Sequence, residues 1–332
     1  GQDGHFGRDH MDTLKLAKKG NGAGGFDFTN ICMNGDPNCA GPLDTSSNPP
    51  PTSTACIRDN RTGLTWSLEL IFTGGPNLQE SDTSRCGLGS DWRIPDQREL
   101  LSLVYFRENT EHMIDTNYFK LQSQNDTIPV FWSNERYFDG QMWSINFKSG
   151  DRWRTPASPN SGAGLRIVNS GSSGPLPWAK SDFELSADGK LVIDKSTQLM
   201  WDRCPKGLSG DNCKNGSLEK YTWNEALNMA QKARTEIYKG YNDWRLPNIK
   251  ELENIIHPTS RDYPPQAPFG PSGILVRSYD DNPSYFEKFW SSTGDSYPYK
   301  AFVMDFSDPK IFSNSKAEKG PVFLVRDNME CK

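Results

Sequence analysis

The chain repeats one pattern in order, and this constrains its fold more than any other feature. Gly89-Ser90-Asp91-Trp92-Arg93-Ile94-Pro95-Asp96-Gln97-Arg98-Glu99-Leu100 returns as Gly240-Tyr241-Asn242-Asp243-Trp244-Arg245-Leu246-Pro247-Asn248-Ile249-Lys250-Glu251-Leu252. The shared core is D-W-R-[IL]-P-x-x-x-E-L. Upstream, the stretch ending Leu64-Thr65-Trp66 matches the one ending Leu199-Met200-Trp201. Downstream, Phe131-Trp132-Ser133 matches Phe289-Trp290-Ser291, and Trp143 to Phe147 matches Phe302 to Phe306. Each copy closes on a short apolar run, Leu165-Arg166-Ile167-Val168 and Phe323-Leu324-Val325-Arg326. Ordered matches of this kind specify a duplicated module.

The core motif has a local physical meaning. Asp96 and Asn248 are helix N-caps, and Glu99 and Glu251, three positions on, complete capping boxes. Pro95 and Pro247 keep the entering chain extended. Leu100, Leu103 and Val104 then form one apolar helix face, and Leu252, Ile255 and Ile256 the other. Trp92 and Trp244 are expected to fill the core beneath these helices. Arg93 and Arg245 are expected to tie a nearby carboxylate or carbonyls. Thr222-x-x-Glu225 is a third capping box, and Ala226, Leu227, Ala230 and Ala233 follow at helical spacing. The first copy has no room for that helix, because Trp92 follows Trp66 by 26 positions while Trp244 follows Trp201 by 43. Its polar stretch from Leu78 to Cys86 is too short for an equal element.

The chain of 332 residues accommodates two ordinary domains. Residues 1–55 match neither copy and read as an N-terminal arm with a Pro-rich linker at Asp44 to Thr54. The first module is assigned to 56–170, a linker to 171–177 and the second module to 178–332. Phe26 to Thr29 is a short strand candidate. Phe183 to Leu185 and Lys190 to Ile193, joined by Ala187-Asp188-Gly189, read as a hairpin. Pro258 to Asn282 is a long Pro- and Tyr-rich insertion of the kind that carries function.

Net charge is −5 with no basic stripe, so the electrostatic footprint of a nucleic-acid binder is missing. No apolar run is long enough for a membrane span. Of seven cysteines, Cys32 with Cys39 and Cys204 with Cys213 enclose short polar loops at spacings unsuited to zinc. Disulfides are the better reading, with Cys56 and Cys86 as the third pair. Cys331 is left odd, either free or bonded to another chain. Disulfides imply an oxidising compartment, and the start at Gly1 without Met is compatible with a cleaved mature protein.

The motifs above resemble the Lcl C-terminal domain family, named for a bacterial collagen-like surface adhesin. The resemblance runs from Cys56 to Arg326 as two copies. It implies an α+β fold of two tandem C-type-lectin-like modules, with short antiparallel strands, one or two helices each and much ordered loop. That fold class also includes formylglycine-generating enzymes. The family's closing strand usually reads R-x-V-R. The first module keeps Arg166 but has Asn169, and the second has Phe323 but keeps Arg326.

No HExxH, G-x-S-x-G, P-loop or dinucleotide fingerprint occurs, so no catalytic residue is assigned. The copper-bearing cysteine pair of the fold-related enzymes has no counterpart. Calcium is the one cofactor that the oxygen-rich residues suggest, at Asp59, Asp194, Asp280 and Asp281, although Asp59 and Asp194 recur as structural turns do. Aromatics that recur between copies read as core. Trp143, Trp153, Tyr297 and Tyr299, in polar surroundings, are the ligand-binding candidates. The expectation is a secreted or cell-surface, non-catalytic, adhesin-like protein that recognises glycan or a protein partner. The alternative is a subunit of an extracellular filament, self-associating through the N-terminal arm and Cys331. A fold-related enzyme is the third reading.

Overall fold

The structure is a computed structural model that describes residues 26–71, 85–106, 112–121, 130–137, 140–158, 161–171, 182–211, 213–256, 268–269, 287–295, 297–306 and 310–327. The described chain between 26 and 171, apart from Phe106, makes one compact unit, and that between 182 and 327 makes another. Both are α+β, with short, mostly antiparallel strands and few helices.

In the first unit, five strands form one sheet: β1 (Phe28–Cys32), β2 (Thr54–Asp59), β3 (Thr65–Ser67), β4 (Trp92–Arg93) and β8 (Val168–Asn169), ordered β1-β2-β3-β8-β4. A second sheet holds β5 (Val130–Arg136), β6 (Gln141–Asn146) and β7 (Arg152–Pro156) in sequence order. Helix α1 (Gln97–Ser102) starts inside the motif, just after its cap Asp96.

The second unit repeats this plan. Its first sheet is β17 (Val325–Asp327), β11 (Leu199–Asp202), β10 (Leu191–Asp194) and β9 (Phe183–Leu185), and β12 (Leu208–Ser209) pairs with β13 (Asn215–Gly216) as a separate ribbon. Its other sheet is β14 (Lys288–Gly294), β15 (Lys300–Asp305) and β16 (Lys310–Ser315). Helix α2 (Trp223–Thr235) starts at the Thr222 cap, and α3 (Ile249–Asn254) starts inside the second motif, after its cap Asn248.

The duplication extends to single hydrogen bonds. Ser67 N–H donates to Ile167 O at 3.0 Å, and Asp202 N–H donates to Leu324 O at 2.9 Å. Trp132 N–H reaches Gly164 O, and Trp290 N–H reaches Pro321 O, both at 3.1 Å. Strands β5 and β14 break register at the same place, after Trp132 and after Trp290. Such a bulge bends the strand and re-aims the residues beyond it. In both copies those residues turn back onto the motif: Asn134 N–H donates to Pro95 O and Ser292 N–H to Pro247 O, each at 2.8 Å.

The recurring tryptophans are core, as expected. Trp66, Trp132, Trp201, Trp244 and Trp290 are fully buried. In the second unit Trp244, Leu246, Trp290, Val303 and Leu324 pack against the apolar face of α2, namely Ala226, Ala230 and Ala233. The expected disulfides Cys32–Cys39, Cys56–Cys86 and Cys204–Cys213 are all formed. Cys331, the stretch 78–84 and the insertion 258–267 and 270–282 lie outside the described residues.

Two expectations need correction. The described part of residues 1–55 is no separate arm. Strand β1 pairs with β2 from Phe28↔Asp59 to Cys32↔Thr54, because Ile31 and Cys32 bury themselves against the first module. The closing strands are also shorter than the apolar runs. Arg166, Val322, Phe323 and Leu324 are buried beside the sheets, outside β8 and β17.

Candidate functional site

The motif residues come together, and their geometry is structural. In the second module Arg245 is buried to 1% exposure. Its guanidinium donates to both oxygens of Glu251, at 2.7 and 2.9 Å, and to Asp327 at 3.2 Å. Burial would lower the Arg245 pKa, but the two carboxylates override it and hold the cation fully charged. Glu251 also accepts from Asn248 N–H at 2.8 Å, while Asn248 Oδ1 accepts from Glu251 N–H at 2.9 Å. One carboxylate therefore caps α3 and neutralises the buried arginine. The first module does the same with Arg93 and Glu99, at 2.7 and 2.6 Å, and with the Asp96 capping box. The Glu99 hydrogen bonds raise the Arg93 pKa. Trp92 is buried in the core of the first module, and Trp244 donates its indole N–H to Tyr238 O at 2.7 Å.

The two calcium candidates that the structure describes are turn residues. Asp59 Oδ1 accepts from Arg61 N–H at 2.9 Å. Asp194 accepts from Ser196 N–H and Thr197 N–H, from both their hydroxyls and from Asn254 Nδ2. Those lone pairs are already committed. Asp280 and Asp281 lie outside the described residues. Among the described residues no group of three or more His, Cys, Asp or Glu side chains is arranged to hold a metal.

The four aromatic candidates separate. Trp143 is not a ligand platform: it is fully buried, with Arg152 over its ring at 4.6 Å and Tyr137 edge-on at 5.3 Å. Its polar sequence neighbours misled because β6 is the central strand of its sheet. Trp153, on the edge strand β7, is 41% exposed. Tyr297 and Tyr299 are 54% and 59% exposed, with ring centroids 5.8 Å apart and planes tilted by 40°.

These two tyrosines are held firmly. They occupy the loop between β14 and β15, where Lys300 N–H donates to Tyr297 O at 2.9 Å. Lys316, just past β16, donates its N–H to Tyr299 O at 2.8 Å and its Nζ to Pro298 O at 2.7 Å. Lys316 O in turn accepts from Trp223 N–H at 3.1 Å, which anchors the loop to the start of α2. The Lys300 ammonium lies 5.3 Å from the Tyr297 ring centre. The hydrogen-bonded loop thus carries two water-facing rings beside an ammonium group. In the first module the equivalent loop starts at Tyr137, whose ring is covered by Arg154 at 4.6 Å.

Sequence reasoning missed two arrangements. Lys206 lies 3.8 Å above the Tyr238 ring, and burial lowers its pKa. Beside it, Lys239 donates to the buried Asp202 at 2.6 Å. No motif signals this cluster, which joins β11 to a turn after α2. The second is the position of Arg166. Its guanidinium lies 5.2 Å from both Phe119 and Phe131, donates to Ser67 O and Lys120 O, and is pushed down to about 9 by burial. In the second module Phe323 takes that place and stacks on Phe289 at 5.2 Å. The sequence contains this exchange in its two closing runs, but not the ring contacts that make it tolerable.

No curated protein and no solved structure matches this chain. The model of the Lcl C-terminal domain matches residues 55–169 and again 190–326. With the two copies sharing one plan, the chain belongs to the Lcl C-terminal domain family, as a tandem pair.

Proposed function

We propose that the protein is a secreted or cell-surface, non-catalytic binding protein, adhesin-like in role, whose second module stacks glycan rings on Tyr297 and Tyr299. The observation that carries this reading is the pair of more than half-exposed tyrosine rings on the hydrogen-bonded β14–β15 loop. Exposed aromatic rings on fixed backbone suit the apolar faces of sugars, because little conformational entropy is lost on binding. Three disulfides are compatible with an extracellular site, and no described helix is long and apolar enough to cross a membrane. Kinship of fold with C-type lectins belongs to this reading as an analogy. Binding is expected to need no calcium, because Asp59 and Asp194 are spent on turns.

A glycan array tests the proposal, run with and without EDTA on the whole chain and on a Tyr297→Ala, Tyr299→Ala variant. The expected result is binding indifferent to EDTA and weakened by about fivefold to 150-fold in the variant, at about 0.5–1.5 kcal/mol per ring. Silence on every array, or binding unchanged in the variant, sinks the glycan reading.

A further inference from the structure

The disulfide loop Cys32–Cys39 encloses an Asp–Pro bond, Asp36–Pro37. That bond is chemically special. The proline nitrogen carries no hydrogen and departs as a secondary amine, and the aspartate carboxyl lies within reach of its own main-chain carbonyl. The surrounding backbone arranges both partners. Cys32 N–H donates to Asp36 O at 2.9 Å, which is the carbonyl oxygen of the Asp36–Pro37 amide. Asn38 N–H donates to Asp36 Oδ1 at 2.9 Å, in a hydrogen-bonded ring that spans that same amide. Asn34 Oδ1 accepts from Asp36 N–H at 3.1 Å, and Gly35 N–H donates to Cys32 O at 2.8 Å. Met33 and Asn34 are pinned to Ser53 O and Pro51 O, each at 3.0 Å. Gly35 sits at φ 95° with no room for a Cβ, which would meet Gly87 Cα at 2.9 Å. Asp36, Pro37 and Asn38 are all exposed to water.

We propose that Asp36–Pro37 is a built-in scission site, at which the Asp36 carboxyl cuts its own chain while Cys32–Cys39 holds the two pieces together. An Asp36 carboxyl oxygen bonds to the Asp36 carbonyl carbon. The carbonyl oxygen gains negative charge, and the Cys32 N–H already aimed at it strengthens as it does so. The carbon–nitrogen bond to Pro37 then breaks, the nitrogen leaves with a proton drawn from solvent acid, and a cyclic anhydride remains on Asp36. One water opens the anhydride to two carboxyls, so the net change is addition of one water. Because the leaving nitrogen takes up a proton, the rate rises as pH falls. The segments packed on the loop, Pro51 to Ser53 and Cys86-Gly87, carry no chargeable side chain. Strand β1 and the disulfide keep residues 1–36 attached after the cut, and release requires a reductant.

The chain supplies its own control, since Asp308–Pro309 is its one other Asp–Pro bond. The whole oxidised protein is incubated at about pH 4, near the ordinary carboxyl range, and at about pH 7. Intact mass is read before and after thiol reduction. The expected result is a product one water heavier that separates into 1–36 and 37–332 only on reduction. It should form at least about tenfold faster at Asp36 than at Asp308, a ratio that one oriented donor readily supplies. In urea with the disulfides intact the two bonds should cut alike. Asp36→Glu, which must form a larger anhydride ring, and Pro37→Ala should each slow the folded-state cut by a similar factor while the far-ultraviolet spectrum is unchanged. Equal rates at the two bonds in the folded protein, or no cut at Asp36, overturns the proposal.

Discussion

Arg245 and Glu251 stand six residues apart and meet in a two-point contact, and Arg93 and Glu99 repeat it in the first module. The two contacts differ in exposure. The Arg245 side chain is 1% exposed, and that of Arg93 is 36% exposed. Water can replace a lost partner at Arg93 but not at Arg245. Glu→Gln keeps the capping acceptor and removes only the charge. Glu251→Gln should therefore cost about 1.5–3 kcal/mol, the toll of weakening a buried charged hydrogen bond, because Asp327 alone then offsets the Arg245 charge. Glu99→Gln should cost about 1 kcal/mol, as for an ordinary hydrogen bond. Urea unfolding followed by hydrogen exchange in each module measures both, and equal costs would refute the exposure argument.

Much of this was legible in the sequence because it is local. Asp96, Glu99, Asn248, Glu251, Thr222 and Glu225 lie three positions apart in pairs, and capping depends on little beyond that spacing. Ring burial depends on partners far along the chain. Trp143 looks exposed in sequence, yet its sheet covers it with Arg152 and Tyr137. The pairing of β1 with β2 was hidden for the same reason: the arm shares no motif with the repeat, and only the ladder from Phe28↔Asp59 reveals its place. The tyrosine loop was half legible. Two aromatics in a polar stretch could be noted, but not that Lys316 pins the Pro298 and Tyr299 carbonyls.

The exchange between Arg166 and Phe323 predicts a stabilising substitution. Arg166 is fully buried, and among the described residues its Nε finds no hydrogen-bond partner and no carboxylate offsets its charge. Its aromatic contacts and two carbonyl hydrogen bonds offset only part of the desolvation. Replacing a buried ionic group with an apolar one of similar volume is often stabilising by about 1–4 kcal/mol. Arg166→Met should raise the first module's stability within that range, whereas Phe323→Arg should lower the second's. A denaturation midpoint that falls in Arg166→Met would contradict this account.

The turn after β2 and its copy after β10 share a backbone conformation but not a residue. Gly63 has φ 75°, and Gln198 has φ 58°. The Cβ of Gln198 makes that left-handed conformation costly by roughly 1 kcal/mol. Gln198→Gly should stabilise the second module by about that amount, and Gly63→Gln should destabilise the first similarly. The two changes are expected to have opposite signs in matched thermal melts.

Acid should loosen α2 through Glu225. Its carboxylate accepts the Thr222 N–H at 2.8 Å, and this backbone hydrogen bond, with the side-chain bond to Thr222 next, lowers its pKa. A carboxyl with a depressed folded-state pKa stabilises fully above its unfolded pKa, and the contribution is lost as pH falls through the folded value. Exchange protection at the first turn of α2 should therefore drop below the ordinary carboxylate range. Glu225→Gln should remove that drop while α2 still forms. A pH profile unchanged by the substitution would count against Glu225 as the titrating group.

The disulfides should differ in weight by the chain each encloses. Cys56–Cys86 spans 30 residues and Cys204–Cys213 spans 9. On loop entropy alone the first should contribute about 3.5 kcal/mol and the second about 2.5 kcal/mol. The longer bridge also joins β2 to the turn before β4, two points the core brings together independently. Its loss therefore frees chain that the fold must then order unaided. Paired Cys→Ala replacements, made one bridge at a time, should lower the melting temperature of the first module more than that of the second. The reverse order would mean that local strain or residual unfolded structure, and not loop length, governs these bridges.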